Sequence, residues 1–399
     1  MAYGSIFKDK DRLLPNFPIE KYWSTLPHRS KQVEMLWSIY GNVIEKKGES
    51  FLRVTQIIGP AGTGKTCTLR FFGDSFEREA RSHGVDVKHL YVNLRLEGGR
   101  RVILYRSLLE KVDPNLVSTS LSAEEMLRNL VEYLQARRKR ILLTIDEVDY
   151  YVRHFKDEGI IYDLTRLNEL TLDRPCGVVG ATFLARDKKF HDLLDVAELS
   201  TLGRSYVPFP AYTSTQVAEI LEKRVEEALH PGACPIDVIE FIADVTARPP
   251  VNGDMRYALD LLLYSGTLAE NQGSGEIRPE HVRRVISETY PVITTEDILS
   301  LPDTEKLILL AAVRALRRRG SPYVPLREIR DMVAVVHEEY GFKPVEEVEE
   351  YVQDLSDRGI IDIKSLSQIG ISGVTTEDLD RFLNNIHERV KSGLHEARS

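Results

Sequence analysis

Gly59-Pro60-Ala61-Gly62-Thr63-Gly64-Lys65-Thr66 decides the fold of this chain. An apolar run, Phe51-Leu52-Arg53-Val54-Thr55-Gln56-Ile57-Ile58, precedes it and reads as a buried strand. Cys67-Thr68-Leu69-Arg70-Phe71-Phe72 follows and reads as the first turns of a helix. Strand, Gly-rich loop, Lys-Thr and helix, in that order, make a P-loop. Gly59, Gly62 and Gly64 let the backbone bend until its N–H groups converge on phosphate oxygens. Pro60, Ala61, Thr63 and Cys67 complete the loop and the helix start. Lys65 is placed to neutralise β- and γ-phosphates, and the Thr66 hydroxyl to ligate Mg²⁺.

The rest of the chain sets bounds around that loop. At 399 residues, two or three domains are expected. Hydrophobic residues make up 42% and charged residues 29%, with a mean hydropathy of −0.24, which suits a globular protein able to bury a sizeable core. No apolar run approaches the ~18 residues of a membrane helix. Met1 to Pro15 lacks the apolar stretch of a secretory signal. Cys67, Cys176 and Cys234 are far apart, which argues for a reducing compartment and against a zinc site. A cytoplasmic, nucleoid-associated location without membrane contact is expected. A net charge of −8 argues against a surface that traps polyanions everywhere, though not against a local basic stripe.

Periodicity divides the chain into an α/β base, an all-α segment and a terminal module. A helix is expected from Ser30 to Lys46. Further strands read at His89–Leu94, Ile141–Asp146, Gly177–Thr182 and Tyr206–Phe209, alternating with helices, which gives a parallel sheet. From Ser214 onward the strand signal stops, and helices fit Thr215–Leu229, Ile236–Thr246, Met255–Glu270 and Pro279–Thr289. Residues 301–399 follow with helices at Thr304–Arg319, Leu326–Tyr340 and Val345–Asp357, a hairpin from Gly359 to Thr375, and a last helix at Glu377–Lys391 that uses Val390 on its apolar face. Three helices and a hairpin are the order of a winged helix. The expected boundaries are 1–212 for the base, 213–290 for a helical lid, 291–303 for a linker including Pro291, and 304–399 for the winged helix.

Asp146-Glu147 closes an all-apolar strand and so falls at the carboxyl edge of the sheet, beside the P-loop. Asp146 is suited to hold Mg²⁺, and Glu147 to polarise an attacking water. Asp149 reads as a cap or surface residue. Arg256, in Gly253-Asp254-Met255-Arg256, stands at a helix start in the lid. Together with Pro27-His28-Arg29, the P-loop, the Asp-Glu pair and Val207-Pro208-Phe209-Pro210-Ala211-Tyr212, these motifs resemble AAA+ ATPases. More narrowly, the chain resembles the archaeal replication initiators related to the eukaryotic origin recognition complex and its helicase-loading partner. The likeness in domain order spans essentially the whole chain.

The resemblance implies an ATP-switched origin binder with weak ATPase activity that uses ATP/ADP and Mg²⁺. Its implied partners are double-stranded origin DNA, a replicative helicase of MCM type, and paralogous initiators. Pro27, His28, Arg29 and Tyr212 would lie near adenine and ribose, and Arg256 would serve as the second sensor. Arg95, Arg100 and Arg101, beside Gly98, fall where these initiators carry an insertion that touches DNA. The first sensor of the family is an Asn after the fourth strand; here Thr182 stands nearest. The trans-acting arginine has no counterpart in Asp195–Leu202, with Arg204 only nearby. Both departures imply slow hydrolysis.

Residues 301–399 hold 14 basic and 18 acidic side chains, a net charge of −4, and the third helix of the module carries Glu346, Glu347, Glu349, Glu350, Asp354 and Asp357. DNA contact is therefore expected through the hairpin (Lys364, Ser367, Gln368, Gly370) and through Arg327 and Arg330. A signalling or regulatory P-loop ATPase whose winged helix binds protein is the alternative reading.

Overall fold

The computed structural model describes residues 5–47, 50–97, 99–117, 120–155, 158–171, 174–289, 293–342, 345, 347–365 and 367–396, with side chains to residue 388. Gly98, Pro291, Glu346 and the side chain of Val390 lie outside the described residues. The chain divides into two compact units, Pro18–Ala211 and a second built from the first 17 residues together with Tyr212–Ser399.

The first unit begins with helices α1 (Ser30–Tyr40) and α2 (Asn42–Glu45). Strand β1 (Arg53–Ile58) then feeds helix α3 (Lys65–Ser82). Next come β2 (Val87–Asn93), α4 (Arg101–Val112), α5 (Ala123–Ala136) and β3 (Arg140–Asp146). The unit ends with α6 (Val148–His154), α7 (Ile160–Thr165), β4 (Val178–Ala185), α8 (Val196–Leu202) and β5 (Tyr206–Pro208). All five strands are parallel, in the order β2-β3-β4-β1-β5. Helices cover both faces, so the central strands need apolar side chains on both sides. Ile141, Leu143 and Ile145 of β3 pack with Tyr105, Leu130 and Tyr151 on one face. Leu142 points to the other face, among Tyr40, Leu69, Phe72 and Phe76. The alternation is the period-two register of a strand. Gly180 makes room for Tyr40, because a Cβ there would fall 2.4 Å from the ring.

The second unit holds four lid helices: α9 (Ser214–Ala228), α10 (Ile236–Ala247), α11 (Met255–Asn271) and α12 (Pro279–Thr289). The boundary 1–212 expected from sequence needs correction at its start. From Ser5 onward the N-terminal segment packs on the lid helices, not on the sheet. Ile6 is fully buried, its N–H donates to Glu270 at 3.0 Å, and Gly266 opens the space that the Phe7 ring fills. An apolar pair at the chain start thus found a helical seat.

The expected linker is partly helical, as α13 (Thr295–Leu299), with Ile298 and Leu301 in the core of the terminal module. The module continues with α14 (Asp303–Arg319), β6 (Tyr323–Pro325), α15 (Leu326–Tyr340), α16 (Val348–Asp357), β7 (Asp362–Ser365), β8 (Gln368–Gly370) and α17 (Thr376–Glu396). Its antiparallel sheet has the order β6-β8-β7, which completes a winged helix.

Lid and winged helix meet through a buried arginine. The Arg283 side chain is 2% exposed and pairs with Glu280 at 2.6 Å. Its Nε donates to the Ile371 carbonyl at 2.6 Å, and a terminal nitrogen donates to the Pro322 carbonyl at 3.0 Å. Around it, Arg248 pairs with Asp362 at 2.6 Å and Arg284 with Asp378 at 3.0 Å. Lys364 reaches Glu240 at 2.8 Å and Asp244 at 3.1 Å. Burial pushes the Asp362 carboxyl above its ordinary range, while Arg248 pulls the other way.

Candidate functional site

The carboxyl edge of the parallel sheet gathers the P-loop and the acidic pair. Gly62 (φ 66°) and Gly64 (φ 77°) take left-handed backbone that a side chain would strain. Gly59 lies so close to Phe209 that a Cβ would fall 2.1 Å from the Phe209 carbonyl oxygen. Helix α3 starts at Lys65 with no side-chain cap and no acid in its first turn. Its leading N–H groups are thus left for an anion, aided by the helix dipole. Lys65 Nζ donates to the Gly59 and Pro60 carbonyls at 2.6 and 2.7 Å, so the ammonium already sits over the loop.

The Thr66 hydroxyl donates to Asp146 Oδ2 at 2.7 Å, which joins the start of α3 to the end of β3. The Tyr91 hydroxyl donates to the same oxygen at 2.8 Å. Burial, reinforced by the Asp146 charge, holds the Tyr91 phenol well above its ordinary pKa. One hydroxyl beside one carboxylate suits Mg²⁺, which is commonly held by one or two carboxylates together with substrate phosphates. No cluster of three or more His, Cys, Asp or Glu ligands occurs among the described residues. The donor set therefore fits an ion shared with a phosphate chain and not a closed metal cage.

Glu147 takes left-handed backbone at φ 61°, a conformation uncommon for a residue with a side chain. Its N–H donates to Asp146 Oδ1 at 2.8 Å. Arg186 donates to both Glu147 carboxylate oxygens, at 3.3 and 3.2 Å. Sequence reasoning passed over Arg186. Thr182, the residue nearest the expected sensor, lies in mid-strand with its side chain fully buried, sharing a 2.8 Å hydrogen bond with Tyr40. Asp149 is also buried, at 5% exposure, and is no surface residue.

Arg29 is committed elsewhere in the first unit. It donates to the carbonyls of Thr63 at 2.9 Å, His28 at 2.9 Å and Pro210 at 3.1 Å, and is 2% exposed. It braces the P-loop from behind. Pro27 and His28 are partly buried beside it, and His28 has φ 58°. Cys67 Sγ lies 3.8 Å from Glu20. In the second unit Tyr212 is buried, with its carbonyl oxygen 2.4 Å from where a Gly253 Cβ would be. Arg256 is exposed in the first turn of α11, where the Asp254 side chain caps its N–H at 2.9 Å.

Three family profiles match this chain. They are an AAA domain over residues 53–185, a Cdc6 AAA+ ATPase-type lid domain over 218–287, and a CDC6 C-terminal winged helix domain over 296–377. The ORC1-type DNA replication protein 1 of Aeropyrum pernix is 31% identical over 394 residues, covering 95% of this chain and 93% of its own. The chain belongs to the ORC1-type DNA replication protein family. The crystal structure of Cdc6p from Pyrobaculum aerophilum superimposes with a TM-score of 0.82 at 25% identity, over 96% of this chain and 99% of that one. The Aeropyrum pernix ORC1 protein in complex with DNA gives a TM-score of 0.60 at 27% identity, over 96% and 97%. No helix among the described residues of this ORC1-type chain is long and apolar enough to cross a membrane.

The residues singled out for DNA contact divide by environment. Arg95 and Arg100 are exposed, Arg95 over the Tyr150 ring at 5.0 Å. Arg101 is tied to Glu124 at 2.6 Å and Asp163 at 3.5 Å, and pins α4 in place. Arg327, Ser367 and Gln368 are exposed. Arg330 is exposed and paired with Glu349 of the acidic helix. Lys364 is held by the two lid carboxylates, whose bonds outweigh burial and raise its pKa. Gly370 is buried in the middle strand of the wing sheet, with Tyr323 2.6 Å from its would-be Cβ, and offers no surface.

Proposed function

We propose that this chain is a nucleotide-switched replication initiator that binds origin duplex DNA and helps recruit a replicative helicase of MCM type. The observation that carries the nucleotide half is the 2.7 Å hydrogen bond between Thr66 and Asp146 at the uncapped start of α3. It brings an anion site and a hard-cation site together in one place. ATP or ADP would be held by residues 59–67, and Mg²⁺ by Thr66 and Asp146. Arg256 is proposed as the second sensor, and Tyr212 as a residue near adenine and ribose. Glu147 would orient the water that attacks the terminal phosphate. Asp195–Leu202 offers no arginine, which supports slow hydrolysis that resets the protein.

The DNA half rests on family membership and on exposed polar groups at the wing tip and beside α4. Arg95, Arg100, Arg327, Ser367 and Gln368 are the proposed contacts, with Lys364 joining once it leaves its lid carboxylates. The test is fluorescence anisotropy with origin-like duplex across a salt series, with ATP or ADP present. Each phosphate contact contributes about 0.9 to the slope of log K against log salt, so Arg327→Ala is expected to lower the slope by about one. Absence of salt-dependent binding in the ATP form sinks the DNA half. Full nucleotide occupancy in Lys65→Ala sinks the nucleotide half.

A further inference from the structure

We propose that Tyr91 is a positioning residue for the cation site: its hydroxyl holds the Asp146 carboxylate in the orientation that keeps the Thr66 oxygen open to Mg²⁺. The inference rests on the nucleotide reading above and adds a residue that reading did not use.

Strand register brings the phenol there. Tyr91 of β2 pairs with Thr144 of β3, and Asp146, two residues on, shares the face of Thr144. The Tyr91 hydroxyl reaches along that face to Asp146 Oδ2 at 2.8 Å. Helix α3 fixes the ring. Arg70 follows Thr66 by four residues, which puts both on one side of the helix. Its guanidinium lies 4.5 Å from the Tyr91 ring centroid and 3.9 Å from Glu20. Tyr91 is thus held at its ring by Arg70 and at its hydroxyl by Asp146.

Counting protons and lone pairs gives the role. An ionised carboxylate only accepts, and each of its oxygens offers about two lone pairs. Asp146 Oδ2 takes the protons of Thr66 at 2.7 Å and of Tyr91 at 2.8 Å, which fills it. Oδ1 takes the Glu147 N–H at 2.8 Å and keeps a lone pair. The Thr66 hydroxyl has a single proton. With that proton turned to Asp146, the lone pairs of its oxygen are left for a hard cation, and the spare site on Oδ1 is left for a water of the cation's shell. Without the phenol, Thr66 is the sole donor to Oδ2. Any rotation of the carboxylate then turns the Thr66 proton, and with it the lone pairs, out of line.

The experiment follows binding of a trace of fluorescent ADP to the full chain, first in EDTA and then as free Mg²⁺ is raised. Tyr91→Phe keeps the ring against Arg70 and removes only the donor. Its ADP affinity in EDTA, which the P-loop N–H groups and Lys65 carry, is expected to stay unchanged. The Mg²⁺ concentration at half of the metal-dependent gain is expected to rise about tenfold, the loss of one hydrogen bond to a charged group. In the Asp146→Asn background, Tyr91→Phe should move that midpoint by less than about twofold, a non-additive cycle that a purely structural tyrosine does not produce. An unchanged midpoint in Tyr91→Phe, additive shifts in the cycle, or equal weakening with and without Mg²⁺ overturns the positioning role and leaves nucleotide binding intact. Failure of the unaltered chain to take up ADP under either condition overturns the nucleotide reading itself.

Discussion

Replacing Arg283 by Met separates what holds the lid to the winged helix from what holds either one together. Methionine keeps most of the apolar stem and removes every donor. Two buried carbonyls, of Ile371 and Pro322, then lose their charged partner, at about 1–3 kcal/mol each. Glu280 loses its ion pair but keeps the Thr376 N–H at 3.0 Å and hydroxyl at 2.7 Å, and its side chain is 41% exposed, so it adds little. Against this stands relief from burying a guanidinium, which offsets part of the loss. The expected net destabilisation is about 2–4 kcal/mol. Urea unfolding can assign the loss to one unit. Both tryptophans, Trp23 and Trp37, belong to the Pro18–Ala211 unit, so their fluorescence reports the base. Far-UV circular dichroism reports mainly the helices of the other unit. With a slope of about 1–3 kcal/mol per molar urea, the dichroism midpoint should fall by about 1–2 M. Arg284→Met is the control: its pair with Asp378 is about 40% exposed on both sides and should matter by about 0.5 kcal/mol or less. A dichroism midpoint that Arg283→Met leaves in place refutes the anchoring role.

Two further outcomes follow from the base. Gly59→Ala forces a methyl to within 2.1 Å of the Phe209 carbonyl; it is expected to cost about 1–3 kcal/mol in thermal unfolding and to abolish nucleotide uptake in titration, and unchanged uptake contradicts the tight approach. His89 is half-buried, with Nε2 2.9 Å from the Thr144 hydroxyl, and desolvation pushes its pKa down to about 4. Because this folded value lies below the ordinary 6.5, the unfolded chain takes up the proton first. Stability is complete above pH 6.5 and falls between 6.5 and 4 by up to about 1.4 kcal/mol per pH unit. His89→Gln should flatten that part of a stability–pH curve, and identical curves refute the assignment.

The P-loop and the Asp146-Glu147 pair were legible because their signals are local: each is a short string at a strand end. The same holds for the lid helices and the winged helix, whose periodicities run for ten residues or more. What stayed hidden depends on distance in sequence. Arg186 meets Glu147 across 39 positions, and no spacing marks it. Lys364 reads as a free cation until Glu240 arrives from 124 positions away. Strand β6 has three residues and ends in proline, too short for any alternation to show. Arg29 was read by its motif as a ligand contact, whereas the backbone of Thr63, His28 and Pro210 takes up its guanidinium. Counting residues 5–17 with the base misses their seat on the lid, since contacts such as Ile6 to Glu270, 264 positions apart, leave no local signal.

The double carboxylate around Lys364 has a bearing on how ionic strength would be read. Before this lysine can neutralise a phosphate it must abandon Glu240 and Asp244, a pair of anions that salt screens as well. Added salt thus loosens the rival and the target together. If the wing touches the duplex with that lysine, a phosphate tally drawn from the salt slope will come out one short.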